Sequence, residues 1–354
     1  MAFAFYFFTS CINVGMKRIA RILIIVIILL SLAPDIWSQG NYQAVSAGWY
    51  HRMIIKEDGS LWGIGGNFSG QLGDGTSSNY KFTPTKVLDN VVKVSAGHCH
   101  TMAILRDGTL WGWGSNTSGM LGDGTTDNKS KPVKVMDNVY DVSAGAYQTL
   151  AILKDGTLWG WGSNSDGELA GKELNILSPV KIMDGVRQAA SGYRCSLAIR
   201  SDNSLWVWGK SGLENDKTSI PHEVPELRGA RQVAASCHVK FVILNDGSLW
   251  GWGDNSQGQL GDGTQLYRGR PVKIMERVKK VSTSGYNTMV ILSDNSLWGW
   301  GWNKNGYLGD GTTSIRTRPI KIADAVKDVA CGMEFAIFLT EGMELMITGK
   351  TKPR

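Results

Sequence analysis

The side chains in this sequence best suited to chemistry are few. His98 and His100 flank Cys99, three residues of metal-binding type. Zinc takes three or four such ligands. Along a strand, residues i and i+2 share a face and the residue between them points away, so Cys99 is turned from the two imidazoles. Two ligands do not make a zinc site, and no metal is expected. One further histidine, His51, matches His100 in a repeating frame. The other equivalent places hold Gln148, Cys195, Val239 and Asn287, with Glu334 or Phe335 in the last. A general base does not survive replacement by valine, so these imidazoles are expected to satisfy local backbone groups.

The run Leu-Gly-Asp-Gly-Thr occurs at Leu72–Thr76, Leu121–Thr125, Leu260–Thr264 and Leu308–Thr312. Calcium asks for six to eight oxygens, and one carboxylate per loop falls short of the EF-hand pattern. Glycine for positive φ and aspartate for capping a turn account for these loops. The P-loop signature, a nucleophile elbow and H-E-x-x-H are all missing. No cofactor is expected, and nothing in the sequence argues for catalysis.

The positions that vary inside a fixed frame point to binding instead. After the glycine of each Val-Ser-Ala-Gly-like run come Trp49-Tyr50, His98-Cys99, Ala146-Tyr147, Tyr193-Arg194, Cys237-His238, Gly285-Tyr286 and Met333-Glu334. Turns favour small polar residues. Here tyrosines, a tryptophan and an arginine gather, the residue types of interface hot spots. Trp49, Tyr50, His98, Tyr147, Tyr193, Arg194, His238, Tyr286 and Glu334 are therefore the candidate partner-binding residues.

What positions them is a repeat. Leu-Trp recurs at Leu61, Leu110, Leu158, Leu205, Leu249 and Leu297, with Leu345-Met346 as a degraded seventh copy, at intervals of 49, 48, 47, 44, 48 and 48 residues. Three residues before each leucine stands a turn pair such as Asp107-Gly108 or Asp202-Asn203. Read as a type I′ hairpin turn, such a pair needs positive φ at both central residues. In the second copy, Val91–Ala96, Thr101–Leu105 and Thr109–Trp113 read as strands, and Pro132–Val135 marks another in the next copy. Four short antiparallel strands per repeat make a propeller blade, and seven such blades close a ring. In Leu110-Trp111-Gly112-Trp113-Gly114 the alternation places both indoles on one face. The glycine face is expected to admit the bulky side of the next blade, so the second indole packs between blades.

The run Val94-Ser95-Ala96-Gly97-His98-Cys99-His100-Thr101-Met102-Ala103-Ile104 resembles the repeat signature of the regulator of chromosome condensation (RCC1-like) family. Asn67–Thr76 resembles its second signature, returning at Asn116–Thr125, Asn255–Thr264 and Asn303–Thr312, weakening at Asn164–Lys172 and lost at Lys210–Ser219. The resemblance covers residues 42–349 and implies an all-β, seven-bladed β-propeller. One departure is visible. The Pro-x-Lys-Val strand occurs only six times, near Pro84, Pro132, Pro179, Pro225, Pro271 and Pro319, so one blade at the seam is expected to have three strands, unless residues 38–41 or the tail fill the place.

Residues 1–38 read as an address. Lys17, Arg18 and Arg21 precede the apolar run Ile22–Leu30, followed by Pro34, Asp35 and a small residue, Ser38. That is the order of a secretory signal peptide, and the run is shorter than the ~20 residues of a membrane span. An uncleaved membrane anchor is the alternative, and Met16 is an alternative start that would leave residues 1–15 untranslated. Residues 39–354 are then one propeller domain, secreted, periplasmic or at the cell surface, closing its own ring as a monomer. Without residues 1–38, 34 cations and 30 anions remain, so the basic balance is no argument for a nucleic-acid partner. The four remaining cysteines lack CxxC spacing and are expected as buried thiols.

The expected function is a non-catalytic scaffold that binds another protein. The resemblance also implies guanine-nucleotide exchange on a small GTPase as an alternative, against which stand the export segment and the even repeat length. Carbohydrate binding is a third reading, and it requires the second tryptophan of each pair to face solvent.

Overall fold

A computed structural model of the chain describes residues 41–213, 219–237 and 239–349. Residues 1–38, for which an export signal is expected, and His238 lie outside the described residues. The described residues form seven antiparallel sheets, six of four strands and one of three. The second sheet is typical: Val91–Ala96, His100–Leu105, Leu110–Gly114 and Lys129–Met136, paired in that order from the axis outward. The Pro-x-Lys-Val strand is thus the outermost strand of the blade it follows, with Val133 opposite Gly112. The three-stranded sheet is the last, Val326–Cys331, Phe335–Thr340 and Leu345–Gly349, so among the described residues the seam is as expected. Ring closure is direct. Met333 N–H donates to Trp49 O at 3.2 Å, and Val45 N–H donates to Asp328 Oδ2 at 3.3 Å. The protein is an all-β, seven-bladed propeller.

The hairpin turns differ from the type I′ reading. Gly108 N–H donates to Leu105 O at 2.9 Å and φ is positive at Gly108 (88°) but not at Asp107. That is a type I turn followed by one left-handed residue, the three-residue hairpin loop. The aspartate has its own task. Asp107 Oδ1 accepts from Thr109 N and Oγ1, and Thr109 Oγ1 accepts from Trp111 Nε1 at 2.9 Å. The same relay, with serine or threonine, recurs in the other Leu-Trp repeats (for example Asp58, Ser60 and Trp62). It orients the first, half-buried indole of each pair.

The second indole packs between blades, as alternation requires: Trp113, Trp161, Trp208, Trp252 and Trp300 are fully buried. The small partner is not the one expected. A Cβ on Gly112 would meet Met102 and Leu121 of its own repeat. The contact across blades is made by the glycine of the Leu-Gly-Asp-Gly loop. A Cβ on Gly73 would lie 2.7 Å from Trp113 Nε1, and one on Gly122 2.7 Å from Trp161 Nε1. Four of these indoles also donate to a carbonyl of the preceding blade's loop, among them Trp113 to Gln71 O and Trp161 to Met120 O, both at 2.9 Å, while Trp208 does not. Asparagine staples the loop: Asn116 Oδ1 accepts from Leu121 N–H, and its amide donates to Asp123 and to Thr125 O. With Asp123 also capping Thr125 and pairing with Lys129, these loops are structural clamps.

The buried histidines also reach beyond local backbone. Thr101 Oγ1 donates to Gln71 O at 2.8 Å, so it accepts from His51 Nε2 at 2.9 Å, which assigns the Nε2–H tautomer. His100 and Thr149 repeat the arrangement with Met120 O. At Gln148, the amide donates to Cys195 O instead.

Candidate functional site

Because each blade runs its innermost strand toward one end, the seven variable turns and the Leu-Gly-Asp-Gly loops share that end of the ring. Around the axis, serines of the inner strands link neighbours: Ala96 N–H donates to Ser46 Oγ, Ala144 N–H to Ser95 Oγ and Cys331 N–H to Ser282 Oγ. The turns are tied the same way, His98 N–H to Gly145 O, Ala146 N–H to Gly192 O and Tyr193 N–H to Ser236 O. The variable side chains therefore stand on a backbone fixed by hydrogen bonds. They surround a channel mouth lined by small residues, among them Gly48, Ala96, Gly145, Ser191 and Gly285.

The expected residues divide into two groups. Tyr50, Trp49, His98, Tyr147 and Tyr193 form one continuous arc over blades one to four. Tyr50 meets Trp49 edge-on, Trp49 contacts His98, His98 meets Tyr147 with centroids 5.5 Å apart, and Tyr147 meets Tyr193 at 5.9 Å. Arg194 ends the arc, its guanidinium 4.8 Å from the Tyr193 ring and 3.4 Å from Asp166. Glu334 flanks the other end, where its charge adds to burial in raising the Tyr50 phenol. Tyr286 stands apart. It packs edge-on against Trp302, which in turn meets Tyr307, in the sixth blade.

His98 and His100 do not share a strand face. His98 sits in the turn at the mouth, while His100 begins its strand and is buried between blades. Cys195 and Cys331 are buried and Cys99 and Cys237 half-buried, all as free thiols.

The arc is electrically neutral near pH 7. Burial lowers His98 to about 4, raises Cys237 to about 11, and raises the Tyr50 and Tyr147 phenols. Such a surface can stack on and hydrogen-bond to a ligand, with a cation at one end and a carboxylate at the other. Tyr50 and Tyr147 are the most exposed of its rings, 37% each. The turn sequences did not reveal Trp302 and Tyr307, which lie in a loop of the outer ring. Nor did they reveal two buried cations, Arg52 and Lys240. Aligning the second residue of each His51-type strand (Arg52, Thr101, Thr149, Ser196, Lys240, Thr288, Ala336) is the signal that finds them.

One end of the propeller thus carries variable aromatic turns on a fixed frame. Residues 33–278 match the RCC1-like domain, and residues 278–306 and 294–339 match the regulator of chromosome condensation (RCC1) repeat. The chain belongs to the RCC1-like family. Among curated proteins, none matches the sequence significantly. Human WBSCR16 is similar in structure, 21% identical over 88% of this chain and 86% of that one, with a TM-score of 0.75. Prp20p of Saccharomyces cerevisiae, described with its binding to Gsp1p and histones, is 21% identical over 88% and 83%, with a TM-score of 0.74. The ectodomain of the Physcomitrella patens receptor kinase CR4 is 13% identical over 88% and 74%, with a TM-score of 0.55. At these identities the likeness is one of fold.

Proposed function

We propose that this protein is a non-catalytic scaffold that captures another protein on the turn-bearing end of its propeller, outside the cytoplasm. The observation that carries the reading is the neutral arc Tyr50–Trp49–His98–Tyr147–Tyr193, ended by the Arg194 cation and standing on a backbone cross-linked by hydrogen bonds. Rigid aromatic anchors at low entropy cost are what a protein interface needs. The carbohydrate reading loses its requirement, because the second indoles are buried. Export rests on the order of charges and apolar residues in residues 1–38, and an uncleaved membrane anchor is its alternative.

Capture from the envelope and surface proteins of the source organism tests this. The full chain should retain a defined partner that the triple variant Tyr147→Ala, Tyr193→Ala, Tyr286→Ala loses, with circular dichroism unchanged. Equal capture by the variant would sink the proposal. The membership of the RCC1-like family keeps nucleotide exchange on a small GTPase as a second reading. Accelerated nucleotide release from a small GTPase, together with a cytoplasmic location, would establish that instead.

A further inference from the structure

At the end of the ring opposite the variable turns, all seven inner strands begin with the same irregularity. In the second blade Val91 pairs with Leu105 and Lys93 with Ile104, so Val92 is the extra residue of a β-bulge. The same slip singles out Gln43, Tyr140, Arg187, Arg231, Lys279 and Lys327 in the other blades. A bulge re-aims a side chain and is a designed feature of a strand. The residue before it is buried in every blade, from Tyr42 to Val326. A second set of variable residues is thus turned out of a fixed frame.

These residues divide by charge. Blades one to three carry Gln43, Val92 and Tyr140, the last two 42% and 63% exposed. Blades four to seven carry Arg187, Arg231, Lys279 and Lys327, a cation in each of four consecutive blades. Neutral acceptors hold them. Arg187 donates to Asn203 Oδ1 at 3.1 Å and to Arg231 O at 3.2 Å, Arg231 to Val278 O at 2.6 Å, and Lys279 to Asn295 Oδ1 at 2.8 Å. Each arginine thereby reaches the backbone of the next blade, which fixes the spacing of the charges. The carboxylates on the same inner strands are engaged elsewhere, Asp141 with Lys93 and Asp328 with Lys280. The turn aspartates stand farther from the axis, between second and third strands, and cap their own turns: Asp202 through Ser204, Asp246 through Ser248 and Asp294 through Ser296. The residues before Asn41 contain one carboxylate, Asp35, against the cations Lys17, Arg18 and Arg21, so they cannot neutralise the arc.

We propose that this end of the ring is a second binding face, which takes an extended acidic segment of a protein. Its carboxylates meet the cations of blades four to seven, and its apolar or aromatic side chains cover Tyr140 and Val92. Arg231, Lys279 and Lys327 are exposed, so the segment reaches them directly from solvent. The inference goes beyond capture at the channel mouth and does not depend on it. Width decides between anionic ligands. A bilayer or a nucleic-acid duplex would also press its charge on the turn carboxylates that encircle the arc, and like charges repel. A single extended chain approaching along the axis meets the cations without covering that outer ring.

The test is a peptide display library selected on the full chain and counter-selected on the double variant Lys279→Glu, Lys327→Glu. Both lysines are exposed and bonded only to neutral atoms, Asn295 Oδ1 and Met343 Sδ, so the fold should be kept. Should the melting temperature fall, Lys279→Gln, Lys327→Gln takes its place. Peptides held by the wild type and rejected by the variant should carry Asp or Glu beside Leu or aromatic residues. Their affinity should drop about tenfold or more in the double variant, persist in Lys279→Arg, Lys327→Arg, and weaken as salt rises. Val92→Asp should weaken the same peptides, while the tyrosine triple variant should hold them as the wild type does. If no peptide separates the two chains, or if those that do lack carboxylates, the proposal is overturned. Phosphatidylglycerol vesicles or single-stranded DNA bound through Lys279 and Lys327 in place of peptides would overturn it too. Should this face fail while the tyrosine triple variant still loses its partner, the proposed function stands without it.

Discussion

Trp49 of the first blade and Cys237 of the fifth line the same pocket on the ring axis, at the end that carries the variable turns. The start of the arc thus faces the far side of the ring across that pocket. The Cys237 thiol, half-buried in the pocket that Trp49 also lines, is raised by burial to about 11. Trp49→Ala should therefore speed alkylation of Cys237 severalfold, read by mass spectrometry of the labelled peptide at pH 8. An unchanged rate would mean that the indole does not cover the thiol.

Stacking between blades depends on the loop glycines. At Gly122, φ is +75° and an added Cβ would lie 2.7 Å from Trp161 Nε1. Gly122→Ala should destabilise the fold by about 2–4 kcal/mol, combining left-handed strain with overpacking. Gly112→Ala, whose Cβ would meet the flexible end of Met102, should cost less. Denaturant unfolding compares the two.

The staple inside each loop is equally specific. Asn303 Oδ1 accepts from Leu308 N–H, and its amide donates to Asp310 and to Thr312 O. Asn303→Ala leaves a buried N–H unpaired and should cost about 2–3 kcal/mol. Asn303→Asp should recover only part of it, because it keeps the acceptor but places a second carboxylate beside Asp310. Melting temperatures of the two variants decide this.

Acid should loosen the ring through His51 and His100. Burial lowers both to about 3, against 6.5 for the unfolded chain. A depressed folded-state pKa gives stability that is present above 6.5 and lost as pH falls toward 3. The loss is about 1.4 kcal/mol per pH unit for each imidazole. Replacing both by glutamine, as at Gln148, should flatten the dependence of the melting temperature between pH 6 and 4. An unchanged slope would place the acid sensitivity in the carboxylates.

Much of this was legible in the sequence, for physical reasons. Turn pairs, four of them Asp-Gly, before Leu-Trp or its degraded copy mark hairpins, and seven at nearly constant spacing mark a ring. The three-stranded blade followed from six copies of the proline strand. The contact between blades did not, because Gly112 and Gly122 look alike as letters, and only packing shows that Leu121 covers the first while Trp161 presses on the second. His98 and His100 were given one face by strand alternation, but the strand starts only at His100, and His98 lies in the turn before it. Equivalence of the seven turns was readable, but their grouping was not. Ring contacts depend on side-chain direction, which places Tyr286 on Trp302 and leaves Tyr147 between His98 and Tyr193.

The most direct test of the account compares two exposed tyrosines on opposite ends of the same propeller. Tyr147 stands in the arc, while Tyr140 begins the inner strand of that blade at the other end and is 63% exposed. A photo-crosslinking benzoylphenylalanine at each position, in the full chain with its captured partner, should yield a covalent adduct from position 147 and none from position 140. Adducts from position 140, or equal yields from both, would contradict a binding face at the turn-bearing end.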